Sequence, residues 1–467
     1  MRSPAAQIGL AIAATLLVAG VAYLMPSPAV LIALGLAPLA AYFAFRNPFV
    51  LCLAFILFSF FRLHEAFPVM YPLKIPQMLA IGTLVVLAVH LLFRRIEIAW
   101  SPELKLFAMF FCLVTIGMFF ATGRDIAIGY WTDTYVKIGL MVFAIASLAR
   151  SPADFALASR SIVIAGMSVA YVALYNSVNK IDLVEGTRVS IGRTFGSVLG
   201  DPNDLSLVLA FPLSFAISLV ITRRTGWFDR VLGGVGGMVL VAAVIATQSR
   251  GGLLGMVAVF AVYGAQRIKS KALLISIGVV GLLGLFAVAG ISGRQSGGAA
   301  EAGLVDESAE GRFHAWGAAV SMAIAHPLTG VGLNNYVANY WFYSTWWEGF
   351  AKAVHSTWFS ALAESGFLGF GIFITMIVRM VRTAMRAMRQ LAPAAAGAAY
   401  QPAAYSLAQA LVAGIAGFAT SGTFLTQAFT WPIYVLLALS VAVGRYSDDL
   451  WARRSPAAPA EVAGTGV

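Results

Sequence analysis

Charge is scarce in this chain. Only 11% of its 467 residues are Asp, Glu, Lys or Arg, and 60% are hydrophobic, whereas soluble domains are about a quarter charged. With a mean hydropathy of +0.85, that composition excludes a water-soluble globular domain. Cysteine is scarcer still. Cys52 and Cys112 lie inside apolar runs on different expected helices, which argues for packing rather than a disulfide or a metal cluster. Strict apolar/polar alternation is missing, so a transmembrane β-barrel is excluded. No internal repeat is visible, although repeated halves are common in secondary transporters. No small-x-small motif precedes "MPSPAV", so the apolar run 8–25 reads as an anchor and not as a cleaved leader.

What the chain does have is long apolar runs, each of a length that suits a helix crossing about 30 Å of hydrocarbon. They fall near 8–25, 28–45, 48–61, 75–93, 104–121, 129–148, 155–178, 204–222, 229–247, 251–265, 271–290, 357–380, 404–424 and 428–444. The expected fold is all-α, a polytopic transmembrane bundle of about 12–14 helices with a large, partly helical periplasmic loop. With the N-terminus in the cytoplasm, about two thirds of the 31 lysines and arginines fall on inner loops, as the positive-inside rule requires. The net charge of +11 therefore orients the protein and needs no nucleic acid. The basic stretch "RMVRTAMRAMR" (379–389) reads as an anionic-lipid contact. This divides the chain into N-terminal helices (1–190), central helices carrying arginine motifs (191–290), the periplasmic loop (291–356), C-terminal helices (357–450) and a disordered cytoplasmic tail (451–467).

Against that background a few cations stand out on the outer face. In "ATQSRGGLLG" (246–255), Arg250 sits between two apolar runs with almost no loop. An ionisable residue there is costly and is a functional candidate; the plain alternative is an interfacial arginine snorkelling to water. Gly251 and Gly252 leave the helix start bare, so backbone N–H groups and an Arg fork face one space, a combination suited to phosphate. In "GRTFGSVLGDPNDLS" (192–206), Gly192, Gly196 and Gly200 permit sharp turns. Asp201, Asn203 and Asp204 read first as a helix cap with a supporting role, while Arg193 has no capping role and suits an anion.

The loop 291–356 opens with the acidic, glycine-rich "SGRQSGGAAEAGLVDESAEG" (292–311). A helix follows, with Phe313, Trp316, Val320 and Ala323 at helical spacing, expected to lie on the membrane or the bundle. Arg312 stands at its N-terminus, where the dipole disfavours a cation unless an anion binds; otherwise it is a solvated charge. His314 and His326 read as structural. The aromatic cluster "NYWFYSTWWEGF" (339–350) reads as an interfacial belt, or as a sugar-stacking platform. His355 stands where the loop enters the next membrane helix, on the face of the three arginines, and suits a general base.

Arginines for an anion, a base, and no obvious metal-ligand cluster suit transfer from a lipid-linked pyrophosphate donor. The order Arg193 with "DPND", "SRGG", "GR…W" at 311–316, "HPLTGVG" at 326–332 and "HSTWFSALAESGFLG" at 355–369 resembles the O-antigen ligase and O-antigen polymerase superfamily. The resemblance implies a metal-independent glycosyltransferase of the bacterial inner membrane, without a cofactor and with both termini cytoplasmic. Its donor would be an undecaprenyl-pyrophosphate-linked oligosaccharide. Its acceptor would be a growing surface polysaccharide or lipid A core, with a protein hydroxyl as the alternative within the family. Arg193, Arg250 and Arg312 would hold the pyrophosphate and His355 would act as base or orient the acceptor. Membrane lipids and other polysaccharide-assembly proteins are the partners it implies. The rival from another class is a flippase of lipid-linked oligosaccharides, which performs no chemistry.

Overall fold

The computed structural model describes residues 42–94, 96–288, 309–347 and 349–453. The expected span 8–25, nearly all of 28–45, most of the acidic stretch 292–311 and the tail from 454 lie outside the described residues. The helices are α1 (Pro48–Phe60), α2 (Ile75–Leu92), α3 (Pro102–Gly117), α4 (Arg124–Tyr130), α5 (Val136–Leu148), α6 (Pro152–Asn179) and α7 (Pro202–Ile221). They continue with α8 (Trp227–Ala246), α9 (Arg250–Ala265), α10 (Lys271–Val288), α11 (Ala309–Ala325), α12 (Tyr336–Tyr343), α13 (Thr357–Gln390), α14 (Pro402–Gly422) and α15 (Trp431–Ala452). Between α6 and α7 lies a small antiparallel hairpin, β1 (Leu183–Val184) on β2 (Arg188–Val189), with Leu183 opposite Val189.

The chain is an all-α multi-pass bundle. Among the described residues, seven helices are long and apolar enough to cross a membrane: α2, α3 with its 3₁₀ extension to Phe120, α6, α7, α8, α13 and α14. Many start the same way, with proline in the first turn, where its missing N–H costs nothing. Ser101, Ser151 and Asp201 cap α3, α6 and α7 with their side chains, and Ser151 forms a full capping box with Asp154. Helices α7 and α14 are the most enclosed and α2 the least. Within the core, polar groups bond across helices, as in Ser218 to Ser406 (2.9 Å) and Thr222 to Gln409 (3.0 Å), because hydrocarbon offers them no other partner.

The loops sort onto two faces. On one, Ala99 N–H donates to Ser147 Oγ, Arg445 reaches the Ala146 carbonyl, Tyr400 reaches the Arg223 carbonyl, and Arg160 grips Asp229 through two nitrogens at 2.6 and 3.0 Å. These are the segments that charge assigned to the inner side. On the opposite face, Ser197 donates to Glu65, Thr122 to the Val331 carbonyl, and Thr357 to the Leu425 carbonyl. Outer segments far apart in the chain are thus joined in pairs.

Two parts of the long loop take a form that periodicity did not anticipate. Helix α11 turns inward on Ala315, Ala318, Ala319 and Met322, while Phe313 is 65% exposed. The small residues are buried because α11 docks closely on α13, where Trp316 also stacks on Phe359 at 5.0 Å. The segments "HPLTGVG" and "ESGFLG" build one joint. At Gly366 (φ 68°, ψ −176°) α13 breaks, so Phe367 N–H cannot reach the Ala363 carbonyl one turn back. It donates instead to the Pro327 carbonyl (2.8 Å), and the freed Ala363 oxygen accepts from Val331 N–H (2.9 Å). Glu364 completes the joint by accepting from Asn334 N–H at 2.8 Å. All three exchanges satisfy backbone groups that a buried break would orphan.

Gly330 sits in this joint at φ 64°, where a Cβ would run into the Ala363 carbonyl. Gly330→Ala is expected to cost on the order of 1–3 kcal/mol, read as a lower melting temperature in detergent. Gly371→Ala, where a Cβ meets nothing within 4 Å, should leave it unchanged.

Candidate active site

The site is built around the turn between α8 and α9. Gln248 takes the left-handed conformation (φ 50°) and Ser249 caps α9, its hydroxyl accepting from Gly252 N–H at 3.2 Å. Arg250 becomes the first helical residue and is exposed. The two glycines after it serve packing: a Cβ on Gly252 would strike Ser206, and one on Gly251 would lie 3.3 Å from Phe424 Cβ. Ser421 Oγ donates to the Gly251 carbonyl at 3.0 Å. The turn is thus wedged between α7 and the end of α14.

The acidic "DPND" cluster divides its labour. Asp201 is the cap of α7, accepting from Asn203 N–H (2.6 Å) and Asp204 N–H (3.4 Å). Asn203 points the other way, and its Oδ1 accepts from Ser249 Oγ (2.9 Å) and from Arg188 Nη2 (2.8 Å). Arg188 is only 5% exposed and also reaches the Thr247 carbonyl and Glu185. Sequence reasoning missed it; a single arginine in a short hairpin carries no motif, and only its place off the basic face marked it. Asp204 accepts from Gln427 Nε2 at 2.7 Å in the wall of a cavity of about 520 Å3.

Arg193 lies in a 3₁₀ turn held between Gly192 (φ 69°) and Gly196 (φ 72°). The turn folds back on Gly200, whose Cβ would approach Arg193 Cα to 2.9 Å. Ile191 N–H bonds the Leu199 carbonyl, and Ser197 ties the loop to Glu65. Arg312, in the first turns of α11, lays its guanidinium 5.7 Å from the Phe424 ring centroid. Its Nε is buried with no hydrogen-bond partner, a position that costs free energy unless something accepts from it. Phe424 therefore touches both the Arg250–Gly251 turn and Arg312.

His355 enters from the loop before α13 with φ 41°, a left-handed conformation that costs about 1–3 kcal/mol in a non-glycine residue. Clamps on either side hold it. The Val354 carbonyl accepts from Trp316 Nε1 (3.1 Å), and Thr357 Oγ1 donates to the Leu425 carbonyl (2.8 Å). His355 is fixed between α11 and the 423–427 loop that carries Phe424. His314 stacks on Trp346 and His326 bonds the Tyr343 hydroxyl, which fits a structural role for both. The aromatic cluster leaves Trp341, Trp346 and Trp347 half exposed, with Trp341 edge-on to Trp347 at 4.6 Å.

The geometry thus brings Arg312 to the ring of Phe424, which packs against the turn bearing Arg250, and links the Arg193 turn to that turn through Gly200, Asn203 and Ser249. Among the described residues, the guanidinium groups of Arg193, Arg250 and Arg312 make no hydrogen bond or ion pair with the protein. Guanidinium groups near a membrane surface without carboxylate partners have the chemistry to receive an anion. The protein is of the class of multi-pass membrane proteins with a polar site on one face. A family model described as O-antigen ligase matches residues 235–374, from within α8 through Arg250, Arg312 and His355 to the joint in α13. Over that segment the chain is similar to the O-antigen ligase and polymerase superfamily, as its motifs indicated, and the match supports a membrane glycosyltransferase of that type. Arg193 and "DPND" lie upstream of the match. No curated protein matches the chain.

Two arginines so placed should behave differently. Arg188→Ala removes charge-assisted hydrogen bonds from a buried node and should cost about 2 kcal/mol or more of stability. Arg250→Ala removes no such bond and should stay within about 0.5 kcal/mol of the parent. Thermal unfolding of both in detergent checks this; a loss of stability in Arg250→Ala equal to that in Arg188→Ala would give Arg250 a structural role.

Proposed function

We propose that the protein transfers a glycan from an undecaprenyl-pyrophosphate donor to a sugar hydroxyl of a growing surface polysaccharide or lipid A core. The observation that carries this reading is the Arg312 guanidinium over Phe424, a residue that also packs at the turn bearing Arg250, both cations without carboxylate partners among the described residues, beside the clamped His355. All of these residues except Phe424 lie inside the segment similar to O-antigen ligases. The charge bias puts the basic face in the cytoplasm and this site in the periplasm, which fits an inner-membrane location.

In this reading the acceptor hydroxyl attacks the anomeric carbon of the donor sugar. The new carbon–oxygen bond forms as the bond from that carbon to the pyrophosphate oxygen breaks, and undecaprenyl pyrophosphate leaves with one more negative charge. Arg250, Arg312 and Arg193 stabilise that charge, an interaction stronger in the transition state than before it. The hydroxyl proton passes to His355. Among the described residues, no group of three or more His, Cys, Asp or Glu is placed to hold a metal, and the arginines supply the cationic charge that a metal supplies elsewhere.

The test uses purified protein in nanodiscs with an undecaprenyl-pyrophosphate oligosaccharide, and product resolved on a gel. His355→Ala is expected to lower the rate by about 10²–10⁴-fold, and Arg193→Ala or Arg250→Ala by about 10²–10³-fold. Lysine at either arginine should restore only part of the rate, because the fork is lost. Turnover should persist in EDTA. A ladder of repeats would mark a polymerase, and a single shift requiring lipid A core a ligase. Full turnover in the alanine variants would overturn the assignment, and donor movement across a vesicle without product would mark a flippase.

A further inference from the structure

The cavity of about 520 Å3 lies beside the arginine site and has no part in the mechanism above. Its inner walls are apolar, with Phe55 and Phe60 from α1 and Leu207 and Val208 from α7. On its outer side stands α2, which packs chiefly on α1 and leaves most of its surface to lipid. At the mouth is the 3₁₀ turn Pro68–Leu73, where Val69, Tyr71 and Leu73 are all more than half exposed. An exposed apolar turn beside a loosely held membrane helix is a suitable entry for a lipid-borne molecule.

Most of the charged residues that line the cavity, Arg62, Lys74, Asp133 and Lys137, stand toward that mouth. Among the described residues the Lys74 ammonium makes no hydrogen bond or ion pair, and Lys137 Nζ is engaged only by the Asp133 carbonyl, at 2.6 Å. Arg62 is held by Glu65 at 3.2 Å, and Asp133 is the acid on the same rim. His64 stacks on Tyr71; burial pushes its pKa below the ordinary value, outweighing the opposite pull of Glu65, so it adds no charge at neutral pH. The two lysines are left to bind an anion. At the far end, Asp204 and Gln427 close the cavity, and Gln427 belongs to the same loop as Phe424. Arg193, Arg250, Arg312 and His355 do not line it.

We propose that this cavity seats a second lipid-borne, phosphate-bearing glycan, the acceptor, with Lys74 and Lys137 on its phosphate and its sugars directed past Asp204 and Gln427 toward His355. The proposal rests on the donor site argued above. It places the enzyme among transferases with two lipid substrates. Both a polyprenyl-pyrophosphate glycan and a phosphorylated glucosamine-based glycolipid present this chemistry.

Native mass spectrometry of the full-length protein tests this with undecaprenyl pyrophosphate and, separately, a phosphorylated glucosamine-disaccharide lipid as probes. Wild type is expected to hold either two molecules of the first probe or one of each. Lys74→Gln with Lys137→Gln should weaken one of these by about tenfold or more and leave the other, while Arg250→Ala with Arg312→Ala should show the reverse. Which probe the lysine variant loses identifies the acceptor. Since neither lysine anchors the fold, unchanged melting temperatures should accompany the loss. Binding by the lysine variant equal to wild type would overturn the proposal. So would a single site lost in both variants, or displacement of the cavity ligand by excess phosphatidylglycerol. Loss of one molecule in the lysine variant with none lost in the arginine variant would sustain the cavity assignment and sink the donor-site reading instead.

Discussion

Much of the site depends on one oxygen atom. Asn203 Oδ1 accepts from Arg188 Nη2 and from Ser249 Oγ, which uses both of its lone pairs. Those two bonds tie the β-hairpin, the start of α7 and the α8–α9 turn into one unit. Ser249 in turn caps α9, so the position of Arg250 follows from Asn203. A second tie runs through Phe424, which holds Arg312 over the same turn. A site assembled from loops of a membrane bundle needs such ties, because the helices beneath it pack without the hydrophobic drive that fixes soluble cores.

The arginines of this face fall into two kinds, and the distinction is electrostatic. Arg188 is enclosed and satisfied by Asn203, the Thr247 carbonyl and Glu185, so it serves the fold. Arg193, Arg250 and Arg312 are left without protein partners among the described residues, and the Arg312 Nε is shielded from water as well. Uncompensated charge of that sort raises the energy of the empty site and lowers that of a site holding a polyanion. The joint at Gly366 matters for the same reason: it seats α11 on α13 and so fixes where Arg312 reaches Phe424.

How much of this was legible in the sequence follows from how local each feature is. Apolar run length gave the described membrane helices, whereas the "DPND" pattern suggested a turn at Asp201-Pro202 and a helix from Leu205 capped by Asn203 or Asp204; the helix in fact starts at Pro202 with Asp201 as its cap. Segments that charge asymmetry assigned to one side contact one another across the chain, as Arg445 does Ala146 and Ser197 does Glu65. The pairings Arg188–Asn203, Gln427–Asp204 and Phe424–Arg312 join residues far apart in the chain, and no local pattern encodes them. The glycines of "SRGG" read as a bare helix start because both a ligand and a neighbouring helix call for the missing side chain. Only the position of Ser206 and Phe424 decides for the helix. In α11 the expected stripe is met in part: Trp316 stacks on Phe359 of α13 and Ala323 is buried, while Phe313 is exposed and Ala315, Ala318 and Ala319 are buried beside them.

The central claim is that the pyrophosphate lies at the ring of Phe424, between Arg250 and Arg312. An electron cryomicroscopy structure of the protein in nanodiscs with undecaprenyl pyrophosphate tests it most directly. The account predicts density for two phosphates within hydrogen-bonding distance of both guanidinium groups, with His355 facing the first sugar position. Density lodged instead against Lys74 and Lys137, with Arg250 and Arg312 still unoccupied, would contradict it.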